Sequence, residues 1–306
     1  MKYYFAPLEG LTDRIYRDIH HRFFPGLDRY YTPFFSPTMH HSLTGKEARE
    51  LPVAKDNPVS TIPQILTKSA EDFLWMANLC ADRGYEEVNL NAGCPSGTVT
   101  AKGKGAGMLA DLDALDRFLE HIFSCTPLPV SVKTRIGVQS PEEWPAILEI
   151  YNRYPIRELT VHSRVRKAFY AGNVEENCFR YAAKISKNSL CYNGDIQSRE
   201  DILRIHSAYP QVEAVMIGRG LIARPDMLSD KAADNQTLIA FYEELLQAYL
   251  SAFGGSRNAM FRLKEHWHYL LPCFADSEKP GKKLRKTTDL EEYRTISREI
   301  LSLPRI

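Results

Sequence analysis

Residues 89 to 109 read NLNAGCPSGTVTAKGKGAGML. The stretch sets Cys94 between a glycine and a proline, then adds Gly97, Gly103, Gly105 and Gly107 with Lys102 and Lys104 among them. A thiol with its ordinary pKa of about 8.5 is protonated at neutral pH, so Cys94 can serve as a general acid. The glycines would let the loop behind it move over a bulky substrate. An inert buried thiol is the competing reading, and it suits Cys80 and Cys125 better, since both fall in apolar helical stretches. Elsewhere, Gln64, Asn91, Lys133 and His162 stand in strand-like runs, where a structural core would avoid amides, an ammonium and an imidazole. Asn193, Gly194 and Asp195, and then Gly218 and Arg219, add two glycine-bearing turns, the second with a guanidinium.

The elements that must position these groups alternate regularly. Strand-like runs at 2–7, 28–35, 60–66, 86–93, 129–135, 157–163, 189–195 and 213–219 are separated by stretches with apolar residues at three- and four-residue intervals, such as 69–84 and 112–125. Eight such βα units predict an α/β fold, a (β/α)8 TIM barrel over residues 1–234. An open doubly wound sheet is disfavoured because no GxGxxG follows the first strand. Residues 235–306 hold three helix-like stretches with no strand signal between them, which predicts a small C-terminal all-α domain.

Along a barrel strand, side chains alternate between the interior and the helix layer. Val88 and Leu90 suit the helix layer, so Asn89 and Asn91 face inward. By the same alternation Ser131, Lys133 and Arg135 turn inward on the fifth run, and Thr160 and His162 on the sixth. The C-terminal strand ends, where barrel active sites lie, thus collect Gln64, Asn91, Lys133 and His162. Glycine turns after the last two strands form the usual phosphate cradle of this architecture, to which Arg219 adds a charged contact. One phosphate at one end, with amide, amine and imidazole lining the mouth, suits flavin mononucleotide (FMN). Gln64 would bond its pyrimidine edge, Lys133 would place positive charge near N1, and the backbone of Pro7, Leu8 and Glu9 would approach the ring. Cys94 would then stand above the mouth, where a substrate stacks.

Composition narrows the class. The chain has 306 residues, 44% hydrophobic and 25% charged, as in ordinary globular proteins. No apolar run approaches the roughly 18 residues of a membrane helix, and MKYYFAPLEG lacks the features of a signal peptide, so a cytoplasmic location is expected. The six cysteines show neither a CxxC pair nor a Cys/His spacing, so neither a metal site nor a disulfide framework is expected. The net charge of +1 neither demands nor excludes a nucleic-acid partner. A local basic cluster, KPGKKLRK, spans residues 279 to 286.

Together, FAPLEGLTD (5–13), NLNAGCPSGTV, VSVKTRIG (130–137), TVHSRVRKAFYAG (160–172), CYNGDI (191–196) and AVMIGRGLIARP (214–225) resemble the dihydrouridine synthases, flavin enzymes that reduce uridine in transfer RNA. The resemblance implies an FMN-bearing barrel followed by a helical domain, 235–306, that helps grip folded RNA. By position it implies FMN contacts from Pro7, Leu8, Glu9, Gln64, Lys133, His162, Asn193, Gly194, Asp195, Gly218 and Arg219. Asn91 and Arg135 would meet the target uridine or its neighbours. It also implies a hydride passing from reduced FMN to uracil C6, with the Cys94 thiol protonating C5. NADPH would reduce FMN in a separate half-reaction, visiting the flavin face transiently. Ser163 and Val165 stand where the family usually has Gly and Thr.

Alternatives share parts of this reading. An FMN barrel reducing a small molecule would use the same mouth but not the basic tail. A dihydrouridine synthase acting on ribosomal RNA would use both. An idle RNA-binding relative would have no need of Cys94, Lys133 and His162. A monomer is expected.

Overall fold

Nine short strands form one parallel sheet in the computed structural model, which describes residues 1–306 throughout. They are β1 (Lys2–Phe5), β2 (Arg29–Tyr31), β3 (Thr61–Ile62), β4 (Gln64–Ile65), β5 (Val88–Ala92), β6 (Val130–Arg135), β7 (Leu159–His162), β8 (Leu190–Asn193) and β9 (Ala214–Ile217). Their spatial order is β3-β2-β1-β9-β8-β7-β6-β5-β4. The two ends of that order, β3 and β4, are halves of one chain segment split at Pro63, so the sheet is a nearly closed barrel of eight segments. Proline has no N–H to give a ladder, which divides the single strand expected over 60–66. Its carbonyl still accepts the Asn89 N–H at 2.9 Å. The run at 28–35 likewise yields three strand residues. Pro33 interrupts it, and pairing resumes as an isolated Phe35–Ile65 bridge.

The register confirms the inward set. Asn89 pairs with Ser131 and Asn91 with Lys133; Lys133 pairs with Thr160 and Arg135 with His162; His162 pairs with Asn193. Lower in the barrel the interior is filled by Tyr4, Tyr31, Ile62, Cys191, Ala214 and Met216. Of the two cysteines expected to be buried, Cys80 is buried but Cys125 is exposed. It is the last residue of helix Leu112–Cys125, whose apolar stripe of Leu115, Phe118, Leu119 and Ile122 ends one turn earlier.

The chain divides into two compact units. One comprises Met1–Pro7, Asp28–Asp195 and Ile202–Ile217 and contains the whole barrel; the other comprises Leu8–Leu27, Ile196–Asp201 and Gly218–Ile306. The second unit holds helices Arg14–Phe23, Asn235–Phe253, Ser256–Leu270, Glu278–Lys286 and Leu290–Leu301. Helix Arg14–Phe23 belongs there because Tyr16 stacks on His266 at 4.8 Å and its N-cap Asp13 accepts the Tyr249 hydroxyl at 2.9 Å. Helix Asn235–Phe253 starts on the Asp234 cap and stops at Gly254, whose φ of 63° is the left-handed C-cap that glycine favours. The basic run 279–286 folds as helix Glu278–Lys286, burying Pro280, Gly281 and Leu284 while Lys282, Lys283, Arg285 and Lys286 stay exposed. No helix is long and apolar enough to cross a membrane.

Candidate active site

A one-way chain of side-chain hydrogen bonds runs through the barrel. The Cys94 N–H donates to Asn91 Oδ1 (2.9 Å), as does the Gly93 N–H (3.1 Å). Asn91 Nδ2 donates to Gln64 Oε1 (2.7 Å), Gln64 Nε2 to Asn89 Oδ1 (2.8 Å), and Asn89 Nδ2 to Ser131 Oγ (2.9 Å). Each amide has its orientation fixed by the next, since carbonyl and NH2 cannot exchange without pairing two donors. Gln64 is fully buried, yet it keeps one amide hydrogen and one lone pair beyond these contacts. Buried polar groups at this density are tolerated because they satisfy one another.

Cys94 lies half-buried just beyond β5. Two of the glycines behind it, Gly105 and Gly107, stand where the backbone leaves no room for a side chain, and a Cβ on Gly107 would lie 2.8 Å from the Thr100 carbonyl oxygen. Gly105 has φ +58°, and a Cβ there would lie 2.8 Å from the Cys94 carbonyl oxygen and 3.0 Å from the Cys94 Cβ. Ala106 N–H donates to that same carbonyl at 3.0 Å. Arg135, buried and paired to protein groups, ties the next loop in. Its Nε donates to the Gly93 carbonyl (3.0 Å), its Nη1 to the Val165 carbonyl (3.0 Å), and its guanidinium lies 5.4 Å from the centre of the Tyr170 ring.

Lys133, half-buried, donates to Asn193 Oδ1 at 2.8 Å, while Asn193 Nδ2 donates to the Met216 carbonyl at 2.7 Å. Burial, with the nearby Arg135 charge adding to it, pushes the Lys133 ammonium down to about 8. At His162 the decisive neighbour is Arg164, which the sequence reading did not assign. Arg164 is buried; its Nη1 donates to His162 Nε2 (3.1 Å) and to Asp195 Oδ1 (3.0 Å), and its Nη2 bonds Asp195 Oδ2 and the Gly172 carbonyl. Arginine can only donate, so His162 Nε2 carries a lone pair and the ring is the neutral Nδ1–H tautomer. The signal for Arg164 was the register: His162 pairs with Asn193, so residues two beyond each, Arg164 and Asp195, approach across adjacent loops. Asp195 has φ +46° and Gly194 φ +138°. A Cβ on Gly194 would lie 2.6 Å from Val174 Cγ1, so the turn excludes any side chain there.

The barrel unit thus brings together Gln64, Asn91, Cys94, Lys133, Arg135, His162, Asn193, Gly194 and Asp195, and ends at Pro7 on the first strand's side. Leu8, Glu9, Gly218 and Arg219 belong to the helical unit. There Leu8 N–H donates to Thr12 Oγ1 at 2.9 Å, and Gly218 precedes the short helix Arg219–Ala223.

A family model described as "Dihydrouridine synthase (Dus)" matches residues 4–257. A "Probable tRNA-dihydrouridine synthase" from Rhizobium leguminosarum bv. phaseoli is 28% identical over 288 residues, covering 90% of this chain and 88% of that protein. Another of that name, from Staphylococcus epidermidis, is 29% identical over 231 residues, 72% of this chain and 68% of that one. Among solved structures, morphinone reductase in complex with tetrahydroNAD aligns with a TM-score of 0.52 at 13% identity, over 77% of this chain and 89% of that one. The old yellow enzyme homologue from Zymomonas mobilis gives 0.52 at 10% identity, over 77% and 91%. At such identities these two show the barrel fold alone.

Proposed function

The chain belongs to the dihydrouridine synthase family, and from that premise and the barrel mouth we propose that it reduces the C5=C6 bond of a uridine in tRNA to 5,6-dihydrouridine. The observation that carries the proposal is a half-buried thiol whose backbone is pinned by Asn91 at the strand end next to Lys133.

The mouth fits FMN. Lys133 is a half-buried cation whose partner is a neutral amide, and no carboxylate lies within ion-pair distance of it, so it suits a group that gains negative charge. When bound, FMN supplies the hydride, replenished from NADPH. Pro7, Gln64, Lys133, His162, Asn193, Gly194 and Asp195 of the barrel unit would hold it. Lys133 stays largely protonated at neutral pH and opposes negative charge. His162 is held in its neutral tautomer by Arg164. The Cys94 Sγ delivers its proton to uracil C5, where the conjugated carbonyl accumulates electron density after hydride addition at C6. Asn91 and Arg135 frame the uridine by fixing the Gly93–Cys94 backbone. The base must leave its RNA stack to arrive; Phe169 and Tyr170, both exposed on the loop after β7, offer rings for its neighbours. The exposed cations of helix Glu278–Lys286 meet RNA phosphates.

Purified protein incubated with NADPH and unmodified tRNA transcripts should yield dihydrouridine on nucleoside mass spectrometry and release FMN on denaturation. Reduction of a small enone with no product in tRNA would favour the small-molecule reductase. Product confined to ribosomal RNA fragments would redirect the substrate. Release of FAD would overturn the cofactor assignment.

A further inference from the structure

Helix Ser256–Leu270 carries two stripes. One, with Ala259, Met260, Leu263, His266, Trp267 and Leu270, is buried in the helical unit. The other places Asn258, Phe261, Arg262, Glu265 and Tyr269 at intervals of three or four, hence on one face. This second stripe, with Phe253, lines a recess of about 640 Å³, within the size range of small-ligand sites.

The recess is built rather than incidental. Arg262 is held in place: its Nη1 donates to the Gly10 carbonyl, its Nε lies 3.8 Å from the Asp13 carboxylate, and its guanidinium is 6.0 Å from the centre of the Phe253 ring. Its plane is therefore fixed before anything binds. Beside it, Phe261 is 69% exposed, the largest exposure of any phenylalanine in the chain. Asn258 adds an amide and Glu265 and Glu9 add carboxylates to the lining, which Gly10 and Leu11 complete.

A flat aromatic ring in water, a fixed guanidinium plane and polar groups that can read a planar edge together match one chemistry, an unstacked nucleobase. A phosphate fits less well, because Glu265 lines the recess and Asp13 already neutralises Arg262. We infer that this recess takes one unstacked base of the RNA substrate, separate from the uridine being reduced, with Phe261 as its stacking platform. The inference rests on the tRNA reading above and adds a second point of base recognition.

The test uses the full-length protein and a fluorescently labelled, unmodified tRNA transcript, with affinity measured by anisotropy across a salt series. Phe261→Ala should weaken binding about 5- to 150-fold, the range of one base–aromatic stack. The slope of log affinity against log salt should not change, because no phosphate contact is lost. Phe261→Trp should restore affinity and Phe261→Leu should not, and the added indole should be quenched when tRNA binds. The side chain is largely solvated, so all three variants should fold. Wild-type affinity in Phe261→Ala, or full affinity in Phe261→Leu, would overturn the inference, as would a flattened salt slope. A raised KM for NADPH with RNA affinity unchanged would also overturn it, assigning the recess to the adenine of that nucleotide. Dihydrouridine formation by the wild type, measured in the same preparation, separates the two failures: its absence removes the functional reading, whereas its presence with unaffected Phe261→Ala removes the recess alone.

Discussion

Replacing Gly105 by alanine tests whether the segment after Cys94 works by moving or by packing. The φ of +58° at Gly105 costs an L-residue about 1–2 kcal/mol. The new Cβ would also meet the Cys94 carbonyl oxygen at 2.8 Å, the Cys94 Cβ at 3.0 Å and Val99 Cγ1 at 3.1 Å. The carbonyl is tethered by the Ala106 N–H at 3.0 Å, so relief requires Cys94 itself to shift. Strain and overpacking together come to about 2–4 kcal/mol, and a shift of a few tenths of an ångström moves the thiol off its line. Misplacement on the ångström scale costs reactions about 100-fold, so Gly105→Ala should slow RNA-dependent flavin reoxidation by about 10- to 100-fold. Flavin content and reduction by NADPH should be unchanged. Stopped-flow absorbance times the two half-reactions separately. Gly97→Ala is the matched control, because a Cβ at Gly97 meets nothing within 4 Å. If Gly105→Ala reoxidises with tRNA at the wild-type rate while folded, the close approach does not position the thiol. If Gly97→Ala is equally slow, the glycines serve loop motion after all.

Cys94→Ala should fold, bind FMN and be reduced by NADPH, yet reoxidise with tRNA about 10²–10⁴-fold more slowly, and Cys94→Ser should also be poor because a hydroxyl is the weaker acid; wild-type reoxidation would remove Cys94 as the proton donor. Reversing the charges of Lys282, Lys283, Arg285 and Lys286 should weaken tRNA binding and flatten its salt dependence without altering flavin reduction, measured by the same anisotropy series. At the opposite end of the barrel, burial pushes Glu158 up to about 7, so the folded chain binds this proton more tightly than the unfolded one. Its contribution is full below about pH 4.5 and lost as pH rises through 7, up to about 3 kcal/mol; Glu158→Gln should therefore raise Tm by a few degrees at pH 8 and leave it unchanged near pH 4, read by calorimetry.

Alternation made the barrel legible, because inward and outward positions differ in polarity on β5, β6 and β7. The break at Pro63 was visible as a residue but not as a consequence. Whether a proline ends a strand or splits it depends on what its carbonyl meets, and that partner, Asn89, lies 26 positions along the chain. Arg164 escaped assignment for a related reason: its role exists only through Asp195, on a different loop, and nothing local to either residue marks the pair. Helix Arg14–Phe23 lies within residues 1–234, the span expected as barrel. Its place beside His266 rests on a ring stack between residues 250 positions apart.

The chain of amides from Ser131 to Cys94 fixes the thiol's place through its backbone. Asn91 Oδ1 takes the N–H groups of both Gly93 and Cys94, and Arg135 takes the Gly93 carbonyl, so the backbone before the sulfur is held by donors and an acceptor together. Asn91 can do this only with its carbonyl facing the loop, and that orientation is enforced because its NH2 is committed to Gln64. Gln64 is fixed in turn by Asn89, and Asn89 by Ser131. Removing any link leaves a buried donor or acceptor unpaired, at about 1–3 kcal/mol, and frees the next amide to flip. The same chain leaves Gln64 with one lone pair and one hydrogen in defined directions. Buried polarity in this barrel therefore orients groups more than it stabilises the fold, which is the arrangement a proton donor and a cofactor-binding amide both require.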